Sequence, residues 1–181
     1  MTAVEGATVR VAGATTDLGR AITRRLEQRG AQVLTDAGGP TPDVLVLVAD
    51  EPAAARRRAH QMGPALAAHG RGQLVVVGPE TRPLADALRR ELAGTGVVVS
   101  AILPGPGPST GVGRWPDVGQ TAVAAVASLH LAARATVRAI ETGRAEFRLP
   151  APTVRPRSVA DDMPADLIAR LLRRRGEEVA A

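Results

Sequence analysis

Two glycines, Gly13 and Gly19, bracket Asp17 in the stretch VAGATTDLGRAI. Glycines at such a spacing let backbone lie close to a pyrophosphate, and a helix opening near Leu18 turns its unbonded N–H groups toward that negative charge. Gly13, Thr15, Asp17, Leu18 and Gly19 are therefore the candidate phosphate-binding residues. Asp36 closes the next β-branched run, where a carboxylate can hold a ribose 2′-hydroxyl and repel a 2′-phosphate. The same residues also suit a plain strand–helix turn and a loop cap. Asp50 and Glu80 each follow an apolar run. Two carboxylates facing one cavity work as acid and base when burial separates their pKa values, so they form the candidate catalytic pair. Both also suit helix N-caps or first-turn acids, as Asp50 before Glu51-Pro52 does.

Composition narrows the chemistry. The chain has no Cys, hence no thiolate nucleophile, disulfide or Cys-based metal site. Its histidines, His60, His69 and His130, show no metal-site spacing, so no metal is expected. None of the 181 residues is Tyr, Lys or Asn, and all 23 basic residues are Arg. The runs Arg56–Arg58 and Arg173–Arg175, with a net charge of +5, raise the question of nucleic acid. Solvated helix faces explain both runs, and only Trp115 and Phe147 are available to stack on bases, so no nucleic-acid partner is expected. No apolar run approaches the roughly 18 residues of a membrane span. The start MTAVEGATVRV lacks the basic and apolar segments of a signal peptide, which makes a cytoplasmic protein the expectation.

The elements that must hold these residues alternate. Thr8 to Ala12 reads as a short buried strand, and Leu18 to Arg29 as a helix with Leu18, Ala21, Ile22 and Leu26 on one face, ended by Gly30. AQVLTD, DVLVLVAD, QLVVVG and VVVSAIL read as further strands, and AEFRLP as a last one. Helices are expected over EPAAARRRAHQMGPALAAHGRG, interrupted at Gly63-Pro64, over RPLADALRRELAGTG with Leu84, Leu88 and Leu92 in line, and over GQTAVAAVASLHLAARATVRAIETG. This order predicts an α/β fold, a Rossmann-like, doubly wound, mostly parallel sheet of about 5–6 strands. One domain over residues 1–181 is expected, with 151–181 as a C-terminal loop and helix.

At this point the chain resembles the short-chain dehydrogenase/reductase family. AGATTDLGRAI is similar to that family's TGxxxGxG turn, with Asp17 for the middle glycine. DVLVLVAD resembles the strand ending in NNAG, with Leu47 and Val48 at the asparagines and Asp50 at the glycine. GQLVVVGPE resembles the strand that leads to the catalytic serine, whose place falls to Gly78 or Pro79. In VVVSAILPGPGPST, Pro104, Gly105 and Ser109 or Thr110 align with the loop that meets the nicotinamide. The resemblance thus implies cofactor contacts from Pro104, Gly105 and Thr110, and substrate contacts from Ser109, His60 and Trp115, the last standing where the family closes a lid. Ser100, where the family has Asn, falls on a strand of the same cleft and also suits a purely structural role.

Two departures matter. The family protonates its alkoxide product with a Tyr whose pKa a Lys lowers, and this chain holds neither residue. Only residues 37–42 separate Asp36 from Asp43, where the family places a helix, a strand and another helix. An extended eight-residue link reaches at most about 26 Å, against roughly 17–20 Å for a strand of five to six residues. A taut return is expected, giving a sheet smaller than the family's, its second strand at an edge and part of one face uncovered; an antiparallel hairpin is the alternative. Exposed apolar sheet calls for a homodimer or a hetero-oligomer. Family members associate through helices matched here by Ala53–Ala68 and Leu84–Leu92. Three functions follow as expectations: a small-molecule-binding non-redox enzyme using Asp50 and Glu80, with no cofactor required or residual NAD(H) binding; a non-catalytic partner subunit; and an NAD-dependent oxidoreductase with substrate-assisted protonation.

Overall fold

The computed structural model describes residues 2–34, 39–49, 52–78, 81–103 and 122–150. Its elements are β1 (Thr8–Ala12), α1 (Asp17–Glu27), β2 (Gln32–Leu34), β3 (Val44–Val48), α2 (Pro52–Ala68), β4 (Gly72–Val77), α3 (Thr81–Glu91), β5 (Val97–Leu103), α4 (Ala122–Thr142) and β6 (Glu146–Arg148). The strands form one parallel sheet in the order β2-β1-β3-β4-β5-β6. The expected Rossmann-like, doubly wound architecture is present, with six strands at the top of the expected range.

Period-2 patterning sorts the sheet between two cores. In β3, Val44, Val46 and Val48 face one layer and Leu45 and Leu47 the other, all buried. The valine side joins Val9, Val11, Val75, Val77 and Ile102 to Leu18, Ile22 and Leu26 of α1 and Ala132, Val137 and Ile140 of α4. The leucine side joins Leu74, Val76, Val99 and Ala101 to Ala55, Ala59 and Leu66 of α2 and Ala85 and Leu88 of α3.

Two expectations are corrected. Helix α2 runs unbroken through Gly63-Pro64. Ala59 before the proline and Leu66 after it are both buried against the sheet, and that packing outweighs the hydrogen bond a mid-helix proline forfeits.

The link from β2 to β3 is shorter in reach than its count of residues suggested. β2 ends at Leu34, which lies level with Arg10, and Arg10 is itself level with Leu45. The chain therefore returns by only about one residue rise, about 3.3 Å, while it crosses β1 sideways. Asp43 receives it: its N–H donates to the Thr8 carbonyl (2.9 Å) and its Oδ2 accepts the Thr8 N–H (2.9 Å).

Arg10 of β1 is only 7% exposed, and its Nη2 donates to the Pro40 carbonyl (3.1 Å). Among the described residues Val98 is the one large hydrophobic side chain that is exposed. No helix among them is long and apolar enough to cross a membrane.

Candidate functional site

Strand order reverses between β1 and β3, because α1 leads outward to β2 and α2 outward to β4. In such sheets ligands lie beyond the carboxyl ends of the strands at that reversal. Here those ends are Ala12-Gly13, Val48-Ala49 and Val77-Gly78.

The turn after β1 is built by one residue that its glycine pattern does not include. Thr16 caps α1: its Oγ1 accepts the Gly19 N–H (3.0 Å) and donates to the Gly13 carbonyl (2.9 Å). The Thr16 N–H reaches the same carbonyl (3.1 Å). Thr before an acidic residue and an apolar-periodic stretch is a helix-start signal, and it was available in the sequence. Gly13 has φ +97°, and a Cβ there would stand 2.9 Å from the Val48 Cβ. A Cβ on Gly19 would meet the Gly13 carbonyl oxygen at 2.0 Å. Both glycines thus close the strand onto the helix, the simpler of the two roles open to them, and in doing so they leave the backbone of the turn bare.

The other turn residues divide. Thr15 is exposed at the apex. The Leu18 side chain is core, 5% exposed, so only its backbone can serve a ligand. Asp17 pairs with Arg20, Oδ1 to Nη2 at 2.5 Å, and the same guanidinium also donates to the Thr15 carbonyl. A carboxylate in the first turn repels phosphate; Arg20, which the sequence reading overlooked, offsets that charge.

The floor beside the turn carries no side chain larger than methyl: Gly13, Ala49 and Gly78. Gly78, at the family's serine, has φ +149°, and a Cβ there would sit 2.5 Å from the Ala49 carbonyl oxygen. β3 and β4 approach too closely at their ends for any side chain at this position. Glycines and an alanine beside a helix N-terminus leave small side chains where a pyrophosphate can approach backbone.

Two expected site residues lie elsewhere. His60 is midway along α2, 48% exposed, its Nδ1 3.2 Å from Oε1 of Glu91, the last residue of α3. It stands with the end of α3 nearest the start of β5, away from the strand carboxyl ends, so the expectation that it approaches the cleft is corrected. Ser100 is fully buried beneath α4, which leaves it its structural role. There the Nε2 of Gln73 donates to the Ala139 carbonyl (2.6 Å) and lies 3.5 Å from the Ser100 Oγ. Asp36, Asp50, Pro79, Glu80, Pro104, Gly105, Ser109, Thr110 and Trp115 lie outside the described residues. Among the described residues no group of three His, Asp or Glu side chains is placed to hold a metal ion.

No protein-family model matches the sequence, and no curated protein does. Solved structures do match. One is a short-chain dehydrogenase from Burkholderia cenocepacia J2315 in complex with NADP, with a TM-score of 0.56 at 18% identity over 95% of this chain and 99% of that one. A metagenomic short-chain oxidoreductase in complex with NADP gives a TM-score of 0.53 at 15% identity over 84% of this chain and 100% of that one. The bulky-bulky ketone specific alcohol dehydrogenase of Comamonas testosteroni gives 0.53 at 13% identity, over 96% and 94%. The chain has the fold of these short-chain dehydrogenases.

Proposed function

We propose that this chain, built on the short-chain dehydrogenase fold, binds a dinucleotide or a small molecule of similar shape at the strand-order reversal and carries out non-redox chemistry there. The observation that carries the reading is a retained turn and methyl-sized floor, at Gly13, Thr16, Gly19, Ala49 and Gly78, in a sequence without Tyr or Lys. NADH held there would supply a hydride, and a carbonyl reduced by it would need a proton donor in place. Nothing in this chain provides the tyrosine–lysine pair that performs this in the family. Asp50 and Glu80 are the residues proposed to handle protons instead, in a cyclisation, dehydration or isomerisation that needs water excluded and no external electron pair. Asp36 makes NADH the better-tolerated nucleotide, since a carboxylate repels a 2′-phosphate.

The test is calorimetric titration with NADH and NADPH, followed by assays of ketone reduction and of candidate non-redox substrates. The reading expects NADH to bind at least ten-fold more tightly than NADPH, with no ketone reduction above background. Non-redox turnover is expected to fall at least 100-fold in Asp50→Asn or Glu80→Gln. Reduction of a ketone at ordinary enzymatic rates overturns it, as does turnover indifferent to both substitutions.

A further inference from the structure

Helix α2 carries an arginine cluster that the cleft does not use. Arg56, Arg57 and Arg58 are consecutive and exposed, and none makes an ion pair or a side-chain hydrogen bond with another described residue. Several arginines elsewhere are engaged, Arg20 with Asp17, Arg29 with Glu141, Arg82 and Arg148 with Glu146, Arg89 with Asp86, whereas these three stand side by side with no carboxylate near them on their own helix. From Pro52 to Arg71 there is no acidic residue at all. The acids on α3, the helix packed beside α2, are Asp86 and Glu91; one is held by Arg89 at 2.6 Å and the other by His60 at 3.2 Å. Steps of about 100° per residue fan the three guanidinium groups over roughly 200° of the helix. Ala53, Pro64, Ala65 and Ala68 are exposed along the same helix.

This surface fits an acidic helix of another protein, and we propose that α2 docks one. Guanidinium forks bind carboxylates in pairs of parallel hydrogen bonds. Exposed alanines let a second helix approach to the usual 8–10 Å between axes. Duplex nucleic acid is the weaker fit, because the helix offers it no Ser, Thr, Asn or aromatic side chain beside the arginines. A second copy of this chain is the poorer partner. A two-fold interface sets the same patch against itself, bringing six arginines together with no free carboxylate on α2 or α3. The inference concerns the outer face of α2 and does not rest on what the cleft binds.

The test uses the whole chain and a 20-residue alanine-based helical peptide with a row of glutamates along one face. A glutamine version of the peptide and a 20-base-pair duplex serve as comparisons. The glutamate peptide is expected to bind at least ten-fold more tightly than the glutamine peptide and the duplex, and to weaken as salt is raised. Arg56→Glu/Arg57→Glu/Arg58→Glu loses that binding at least ten-fold while circular dichroism and melting cooperativity stay unchanged. Arg134→Glu/Arg138→Glu on α4, the same kind of reversal on exposed arginines, leaves it within two-fold. Sedimentation shows no self-association through α2, and mixing wild type with the triple variant raises the sedimenting mass. Equal loss in both reversal variants reduces the effect to net charge and overturns the proposal. Tighter binding of the duplex overturns it in favour of nucleic acid, and a wild-type dimer dispersed by the triple variant overturns it in favour of self-pairing.

Discussion

Single atoms decide the chemistry at the strand ends. Gly78→Ala puts a methyl 2.5 Å from the Ala49 carbonyl oxygen at a φ of +149° that side chains rarely adopt. A loss of at least about 1–3 kcal/mol is expected, measurable by urea titration. Thr16→Ala removes a cap that both accepts and donates, and should cost about 1 kcal/mol, with Thr16→Ser recovering most of it. Gln73 is a contrasting case. Its partner, the Ala139 carbonyl, also accepts the Gly143 N–H at 2.9 Å, so that oxygen keeps a donor when Gln73 is replaced. Gln73→Leu, close in volume, strips the buried Ser100 Oγ of its contact and is expected to cost about 1–3 kcal/mol, whereas Gln73→Ala adds a cavity and loses more. The two glycines of the turn were legible because a strand and a helix flank them. Arg20 was not, because its role depends on a carboxylate three residues back and on the Thr15 carbonyl. His60 was misplaced for a related reason: its position on α2 was legible, but its partner Glu91 is 31 residues away.

Elements settle which faces are covered. The alternation of strands and helices was readable from period alone, since Val and Leu alternate in β3 and leucines recur along α3. The link from β2 to β3 was not, because its net return depends on how Leu34 and Val44 register against β1, which the sequence does not mark. Arg10 ties that link down, and Pro40 lies at the exposed surface where water can replace the guanidinium. Arg10→Met keeps an apolar stem and removes the tether. Global stability is expected to change by less than about 1 kcal/mol, while amide exchange at Gln32–Leu34 quickens, since a three-residue edge strand has little else to hold it. At the opposite edge, Glu146 of β6 accepts hydrogen bonds from Arg148 and from Arg82 of α3. The Arg148 bond, against partial desolvation and with help from Arg82, holds the Glu146 carboxyl below the usual glutamate range. A carboxylate that is more acidic folded than unfolded stabilises the fold above its unfolded pKa. That contribution is lost as pH falls through the folded value. Glu146→Gln should therefore flatten the acid limb of the stability curve, read as melting temperature between neutral pH and pH 3.

At the scale of the molecule, the described residues build one core on each side of the sheet, and the strand ends at the order reversal carry Gly13, Ala49 and Gly78. A site of that kind has little of its own to contribute to stability, so a ligand that fills it acts mainly through mass action. A ligand at one hundred times its dissociation constant stabilises by about 2.7 kcal/mol, and in a chain of this size each kcal/mol moves the melting temperature by about 2–4 °C. Saturating NADH is therefore expected to raise the melting temperature by roughly 5–10 °C. NADPH at the same concentration should give about half that shift or less, and Asp36→Ala should bring the two nucleotides together by raising the NADPH response. Gly13→Val, which drives a branched side chain into Val48 at a φ of +97°, should lower the starting temperature and abolish the shift as well. A variant that lost stability and kept the full shift would place the nucleotide away from the β1–α1 turn. Equal shifts for both nucleotides in the wild type would remove Asp36 from the ribose site.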